Sequence, residues 1–547
     1  MLTRATRGRS GSTAPWTSAA VVVAALVVVP VALLTASVLS PSTEVWAQQW
    51  RTRLPGELVD TAVLLAGSVL GSVVLGAGLA WLVSAYDFPG RRWLSWMLVL
   101  PLAMPGYILG FLTVATFGRT GSVQDQWRAW FGRDAWFPDF ESTMGAIVTF
   151  SLVLYPYVFL LARAALRDQA AGAYQAARVL GAGPAEAARR VVLPMVRPAI
   201  AAGGAIVAME TLTDFATVQY FGVDTVSVGV FRIWRGTYDR DAAGELATLV
   251  LAFALLAIGF ERVARGRARF AQSGGAGAGF ERRRLRGTRA AAATAACGLV
   301  VSVAFAAPVA QLAWWAIDEQ TGPRGTPLTD EYASYLRHSA QLVAICVVVC
   351  VAVAVLVANA QRFGSPLLTR WSSRAIAVGY AVPGPVVGIG VLLFTVGLDS
   401  LLERVGLDLP GVLATGSMVV LVYAYVVRFL GPGFGSVESG MTQVPDEVTA
   451  SARVLGAGPL RTMWRVHLPL ARSSLLTAAV LVAVDALKEL PIVLLLRPFG
   501  FDTLPVWVYN LASESRYRQA ALPALSIVAV AVIPVVLLSR RLDRRPT

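Results

Sequence analysis

Apolar runs of roughly 20 residues, the length that crosses a bilayer as a helix, recur from one end of this chain to the other. A helix of that length satisfies its own backbone hydrogen bonds in lipid, so each run reads as a membrane span. Spans are expected near 19–40, 60–84, 93–117, 143–166, 199–221 and 243–262. A second set is expected near 291–316, 338–360, 372–397, 410–430, 474–497 and 519–539. The chain has 547 residues, is 56% hydrophobic and 15% charged, and has a mean hydropathy of +0.62. A soluble domain carries about 25% charged residues, so the expected class is an all-α integral membrane protein of about twelve transmembrane helices. The first run, to Leu39, is too long for a signal-peptide core and has no clear cleavage site, so it reads as an uncleaved first helix.

The net charge of +14 comes almost entirely from arginine. The arginines gather in short loops beside apolar runs, which is the pattern of cytoplasmic membrane loops and not of a nucleic-acid surface. Of the three cysteines, Cys297, Cys346 and Cys350, the last two share a helix face inside an apolar run and read as small buried residues. His338 and His467 have no zinc-type spacing around them.

The two sets of spans are related. ARVLGAGPAEAARRVVLPMVR (177–197) aligns with ARVLGAGPLRTMWRVHLPLAR (452–472) at an offset of 275 residues, with ARVLGAGP identical in both. The offset also pairs the fifth span with the eleventh. Two six-span halves in the same topology imply a parallel repeat about an axis along the membrane normal. The expected organisation is 1–265 as a first transmembrane domain, 266–289 as a linker and 290–547 as a second transmembrane domain. The linker is Gly- and Arg-rich, with Arg267, Arg269, Arg282, Arg283, Arg284, Arg286 and Arg289 against Glu281, and reads as flexible. Arg4, Arg7 and Arg9 and the tail SRRLDRRPT put both termini on the linker's side, with both copies of ARVLGAGP. The arginine bias makes that side the cytoplasm.

The duplicated loop resembles the cytoplasmic "EAA" loop of ABC importer permeases. A Gly is followed after nine residues by Val-x-Leu-Pro, with Gly181 and Gly456 at the Gly and Leu193-Pro194 and Leu468-Pro469 at the end. Gln175 and Ala450 stand where the family has Glu. Over nearly the whole chain the sequence is similar to fused-dimer permeases of ferric iron importers, through PLAMPGYILGF (101–111), METLTDFATVQYFGVDT (209–225), AVPGPVVGIGVL (381–392), VYAYVVRFLGPGFGSVESGM (422–441) and VDALKELPIVLLLRPFGFDTLPVWVY (484–509). The resemblance implies a type I importer permease fold in the bacterial inner membrane. It also implies two copies of a cytoplasmic ATPase docked on the loops, and an extracytoplasmic ferric-iron-binding protein. The coupling residues would be Ala177, Arg178, Gly181, Gly183 and Pro194 in one loop, and Ala452, Arg453, Gly456, Gly458 and Pro469 in the other. The chain needs no cofactor on this reading, since ATP is used by the partner. Its sole lysine, Lys488, follows Leu487, so it has no Walker A loop. Thiamine or another small solute is the alternative cargo, and an ion-gradient-driven transporter the alternative class. No nucleophile–base set suggests an enzyme.

Charges within the apolar runs complete the reading. Asp485 and Glu489 are spaced i, i+4, and the offset carries them onto Glu210 and Asp214, while Lys488 falls on Thr213. A charge at mid-membrane costs about 2.5–3.5 kcal/mol on insertion scales, so these groups should face a bundle interior or wet cavity. Two roles stay open: contacting a hard cation on its way through, or bracing helices, with Lys488 neutralising Asp485. Arg497 is a candidate gate or contact with the binding protein near the outer end of its span, with a snorkelling interface arginine as the plainer alternative. Tyr107, Tyr155, Tyr157, Tyr423 and Tyr425 are candidate cavity residues, with packing as the plainer alternative.

Overall fold

The computed structural model describes residues 10–39, 43–237, 239–265, 282–322, 330–406 and 416–543. Most of the expected linker (266–281, with Arg267, Arg269 and Glu281), the extreme N-terminus with Arg4, Arg7 and Arg9, and the last residues of the tail lie outside them. The protein is all-α and spans the membrane. Among the described residues ten helices are long and apolar enough to cross it, or twelve if each of two sharply bent pairs counts as one span.

The helices divide into two compact units that interleave the sequence repeats. One comprises 1–46, 230–248 and 330–506; the other comprises 47–229, 249–329 and 507–547. In each unit the first span comes from the opposite repeat. Ser10–Ser37 packs on Pro366–Gly379, Gly384–Arg404 and Asp330–Phe363. There Gly390 admits the backbone, for a Cβ would stand 2.8 Å from the Pro30 carbonyl oxygen. In the other unit, Ala290, Ala293, Cys297, Val301 and Ala304 of the seventh span join a buried core with Tyr155, Phe159 and Leu79.

Lipid is as apolar as leucine, so close approach through small residues has to hold such helices together. Leu54–Ala85 lies on Thr143–Ala165 through Gly67, Gly71 and Gly76. Gly67 sits against Ile147, Gly71 against Ser151, and a Cβ on Gly76 would lie 2.7 Å from the Tyr155 carbonyl oxygen.

Several expected single spans are broken. The third bends by 92° between Arg91–Ala103 and Gly106–Phe131. The ninth is two helices, Pro366–Gly379 and Gly384–Arg404. Both breaks fall at a Pro-Gly pair, where Pro105 (φ −59°, ψ 143°) and Pro383 (φ −58°, ψ 147°) adopt nearly identical extended conformations. A proline ring clashes with the preceding turn and supplies no N–H, so each restarts the helix in a new direction. The fifth span ends at Thr213 and resumes as Phe215–Tyr220; the eleventh ends at Lys488 and resumes as Pro491–Leu496.

The end of the linker is ordered rather than flexible. Arg283 and Arg284 form a short parallel ladder with Tyr86 and Asp87, the Leu285 N–H donates to the Asp87 carbonyl at 2.9 Å, and the next helix starts at Gly287.

Candidate coupling loops and membrane-embedded charges

The two ARVLGAGP loops have the same backbone. In the first, helix Ala171–Val179 ends in Gly181 with φ +93°; in the second, Asp446–Val454 ends in Gly456 with φ +79°. The Gly181 N–H donates to the Arg178 carbonyl (3.2 Å) and the Ala182 N–H to the Ala177 carbonyl (3.0 Å). Gly456 and Ala457 repeat this with Arg453 and Ala452, both at 3.0 Å. This paired bonding is a Schellman C-cap, whose left-handed residue is glycine because a Cβ strains there. Short helices Pro184–Ala187 and Pro459–Thr462 come next, each running through a π turn (188–192 and 463–467) into the following helix. Pro194 and Pro469 stand in the first turn after it, where no N–H is needed.

The cap presents apolar side chains to the outside. Val179 and Leu180 are each 87% exposed, and Val454 and Leu455, 275 residues on, are 88% and 85% exposed. Gly183 and Gly458 have ordinary negative φ, and open space surrounds the position of a Cβ at both. Nothing within the described chain requires glycine at these two positions.

Behind this common tip the loops are anchored differently. His467 is fully buried, with Nδ1 3.1 Å from Asn359 Oδ1 and Nε2 3.1 Å from Thr449 Oγ1. Arg362 donates to Thr449 Oγ1 at 2.8 Å and to the carbonyls of Met441 and Val444. The first loop has Val192, Tyr174, Ser84 and Asp87 at the matching places, and there Tyr174 meets Trp81 edge-on. The second loop is tied by this polar network, and the residues at the matching places in the first do not repeat it.

The membrane carboxylates sit at the helix breaks. Asp214 closes the fifth span, its N–H donating to the Glu210 carbonyl (3.1 Å), and caps the next helix by accepting from the Thr217 N–H (2.9 Å) and hydroxyl. In the other unit Glu489 also caps the next helix, accepting from the Ile492 N–H at 3.1 Å, while its own N–H donates to the Ala486 carbonyl at 3.4 Å. The i, i+4 spacing therefore does not place both members of a pair on one continuous helix: the second of each pair has turned to cap the next helix. Glu210 and Asp485 remain on the preceding helix and are half-buried. Lys488 Nζ lies 3.7 Å from Asp485 Oδ1.

One residue that the spacing of the carboxylates does not reveal belongs to this set. Arg428 is 6% exposed, and its Nε lies 3.1 Å from Oε2 of the 5%-exposed Glu489, although its N–H is not aimed at that oxygen. Its Nη1 donates to the Val382 carbonyl at 2.9 Å, beside the Pro383 break. The signal in the sequence is a lone arginine in the apolar run 418–430. Among the described residues no three His, Cys, Asp or Glu side chains are grouped to hold a metal.

The other candidates have plain surroundings. Arg497 pairs with Asp502, whose carbonyl lies 3.0 Å from His338 Nδ1. Tyr155 is wholly buried, donating to the Leu98 carbonyl at 2.8 Å; Tyr107 and Tyr425 are also buried, Tyr157 is half-buried, and Tyr423 donates to the Leu26 carbonyl at 2.5 Å. Cys346 and Cys350 are buried free thiols, 3.9 Å apart.

Gly106 gives the break a test. A Cβ there would overlap Asp214 Oδ2 and crowd Thr217 Oγ1 at 3.2 Å. Gly106→Ala is expected to lower the thermal unfolding temperature of the purified protein by an amount matching about 1–3 kcal/mol of overpacking. Gly183→Ala, with open space, should leave that temperature unchanged. Equal temperatures for both variants and the unaltered protein would contradict the packing of Asp214 against Gly106.

Comparison with known sequences agrees with this architecture. The sequence model of the family described as binding-protein-dependent transport system inner membrane component matches twice, over 72–263 and 350–547. Among curated relatives, the Fe(3+)-transport system permease protein FbpB 2 of Haemophilus influenzae is 23% identical over 90% of this chain and 91% of its own. The sulfate transport system permease protein CysT of Salmonella typhimurium is 29% identical over 41% of this chain and 82% of its own. The molybdenum transport system permease protein ModB of Escherichia coli is 28% identical over 35% and 84%. A crystal structure of a bacterial ABC transporter that imports alginate superposes with a TM-score of 0.35 at 14% identity, covering 46% of this chain and 93% of that one. The curated relatives are permease proteins of transport systems rather than enzymes, and ATP hydrolysis falls to a separate subunit. Two matches to one family model, on two copies of one loop, mean that this chain belongs to the inner membrane components of binding-protein-dependent transport systems and carries that module twice.

Proposed function

We propose that this permease moves ferric iron, received from an extracytoplasmic binding protein, into the cytoplasm of a bacterium, driven by two copies of an ATPase on the two loops. The observation that carries the cargo is the length of the match: the Fe(3+)-transport relative aligns along nine-tenths of both chains. The sulfate and molybdenum relatives align with less than half of this one. The chemistry agrees. Each repeat places two carboxylates at a break in a span, where unwound backbone and oxygen donors suit a hard cation in transit. Arginine-rich loops put the N- and C-termini and both levers on the cytoplasmic side.

The levers have the features of docking surfaces. Their tips are apolar, exposed and rigidly capped, and their spare glycines leave room for a partner's backbone to approach. ATP-driven closure of the two ATPases would draw the levers together and switch the permease between outward- and inward-open states. Oxyanion transport is the second reading, favoured by the higher local identity to the sulfate and molybdenum permeases.

Uptake by the reconstituted complex decides between them. Radiolabelled ferric iron should accumulate with ATP, while sulfate, molybdate and thiamine should not. Glu210→Gln, Asp214→Asn, Asp485→Asn and Glu489→Gln should each slow iron uptake at least several-fold without changing the amount of protein in the membrane. Normal iron uptake in all four would remove the carboxylates from the pathway. ATP-dependent sulfate or molybdate uptake without iron uptake would replace the cargo. Accumulation by this chain alone under an ion gradient would replace the transporter class.

A further inference from the structure

A cleft of about 560 Å³ opens just past the end of Leu54–Ala85, lined by Asp87 of the short ladder, by Arg91, Arg92 and Trp93 at the start of the next helix (Arg91–Met97), and by Arg282 and Arg284 from the linker. Four arginines therefore share one cleft with one lining carboxylate. Arg91 is already committed: its Nε contacts Asp87 Oδ1 at 3.0 Å and its Nη1 donates to the Val83 carbonyl. Arg92 and Arg284 are exposed, Arg282 keeps much of its surface open while its guanidinium reaches into the cleft, and none of the three has an ion pair among the described residues. Arg282 bears the strain of this arrangement. Partial burial, and then the neighbouring charges of Arg91, Arg167 and Arg163, push its pKa below the usual arginine value, with Asp87 opposing. An anion in the cleft would relieve that repulsion.

We propose that this cleft binds the phosphate of an anionic lipid headgroup and so clamps the linker to the end of the second span. A free phosphate has the same chemistry, but the position favours lipid. The cleft lies at the mouth of a membrane-spanning helix, and Trp93 at its rim is 68% exposed, as expected of an aromatic at the lipid–water boundary. Basic pockets between spans are suited to anionic headgroups. The second repeat cannot build a copy, because Pro366 and Leu367 stand where the first has Arg91 and Arg92, and the chain has one linker. One site per chain follows. The site depends on the chain spanning a membrane, and not on its cargo or orientation.

The test is thermal unfolding of the purified permease in detergent with soluble short-chain phosphatidylglycerol, phosphatidylcholine of equal chain length, or inorganic phosphate. Phosphatidylglycerol should raise the unfolding temperature at concentrations where the other two do not. Its apparent affinity should fall about fivefold per arginine removed, in the series Arg282→Gln, Arg282→Gln with Arg284→Gln, and both with Arg92→Gln. Arg282→Gln alone suffices if the triple variant fails to fold. Equal protection of Arg282→Gln and the unaltered protein would overturn the site. Equal protection by inorganic phosphate would overturn the lipid as its occupant.

Discussion

Leu180→Asp combined with Leu455→Asp is expected to release the ATPase from the permease while leaving the permease folded in the membrane. Both leucines stand outside the protein's own packing, at 87% and 85% exposure, so their replacement removes no contact inside the chain. The helix end beneath them is held by backbone bonds and a left-handed glycine, which the substitution does not touch. In the proposed complex each leucine is buried in the partner. Burial of a leucine is worth about 1.5–3 kcal/mol, and an aspartate in its place has to be desolvated without a partner. Loss at one loop should weaken ATPase binding by roughly tenfold to a hundredfold, since 1.4 kcal/mol is about a factor of ten. Loss at both should abolish co-purification and transport-coupled hydrolysis. The check is affinity purification of the complex beside an unfolding curve of the permease alone. An unshifted unfolding curve with a full complement of ATPase would show that the loops are not the docking surface. The single variants carry a further expectation: Leu455 sits on the lever tied by His467, Asn359, Thr449 and Arg362, and Leu180 on the lever with Val192, Ser84, Tyr174 and Asp87 at those places. Identical tips on different anchors should bind alike yet transmit force unequally.

Features set by spacing were legible in the sequence, and features set by the choice of packing partner were not. Apolar length alone located the spans, and the identical ARVLGAGP copies gave the lever twice, with Gly181 and Gly456 at the turn. The carboxylates were visible as a repeated pair. Their change of role at Asp214 and Glu489 was not, because i, i+4 spacing describes a helix that continues, and these helices stop. Pro491, two residues beyond Glu489, was the available sign, as were Pro105 and Pro383 for the other breaks. The exchange of first spans left no trace in the sequence. An apolar stripe facing lipid or protein looks the same whichever neighbour it meets, and only the glycine contacts, such as Gly390 on Pro30, choose one. The ladder of Arg283 and Arg284 with Tyr86 and Asp87 was equally hidden, since two residues of arginine in a Gly-rich stretch have no strand pattern.

Arg428→Met is expected to be the most damaging single change among the membrane-embedded charges. It leaves Glu489 at 5% exposure, accepting from the Ile492 N–H but without its neighbouring cation, and an ion stranded in this way costs about 3–5 kcal/mol. It also removes the donor that holds the Val382 carbonyl, next to the break at Pro383. Lys488→Met should do far less. Lys488 and Asp485 are 3.7 Å apart with side chains 19% and 26% exposed, against 7% and 5% for Arg428 and Glu489, so less desolvation is at stake when one partner of that pair is removed. Adding Glu489→Gln to Arg428→Met should recover much of the loss, because the amide oxygen keeps the cap on Ile492 without an unpaired charge. Thermal unfolding of the four proteins in nanodiscs reads all of this. A loss for Arg428→Met no larger than for Lys488→Met would mean that Glu489 is not carried as a buried ion. Recovery in the double variant without recovery of transport would separate the two roles of Glu489: the cap and the ion pair hold the break in shape, and the charge itself serves the passing cation.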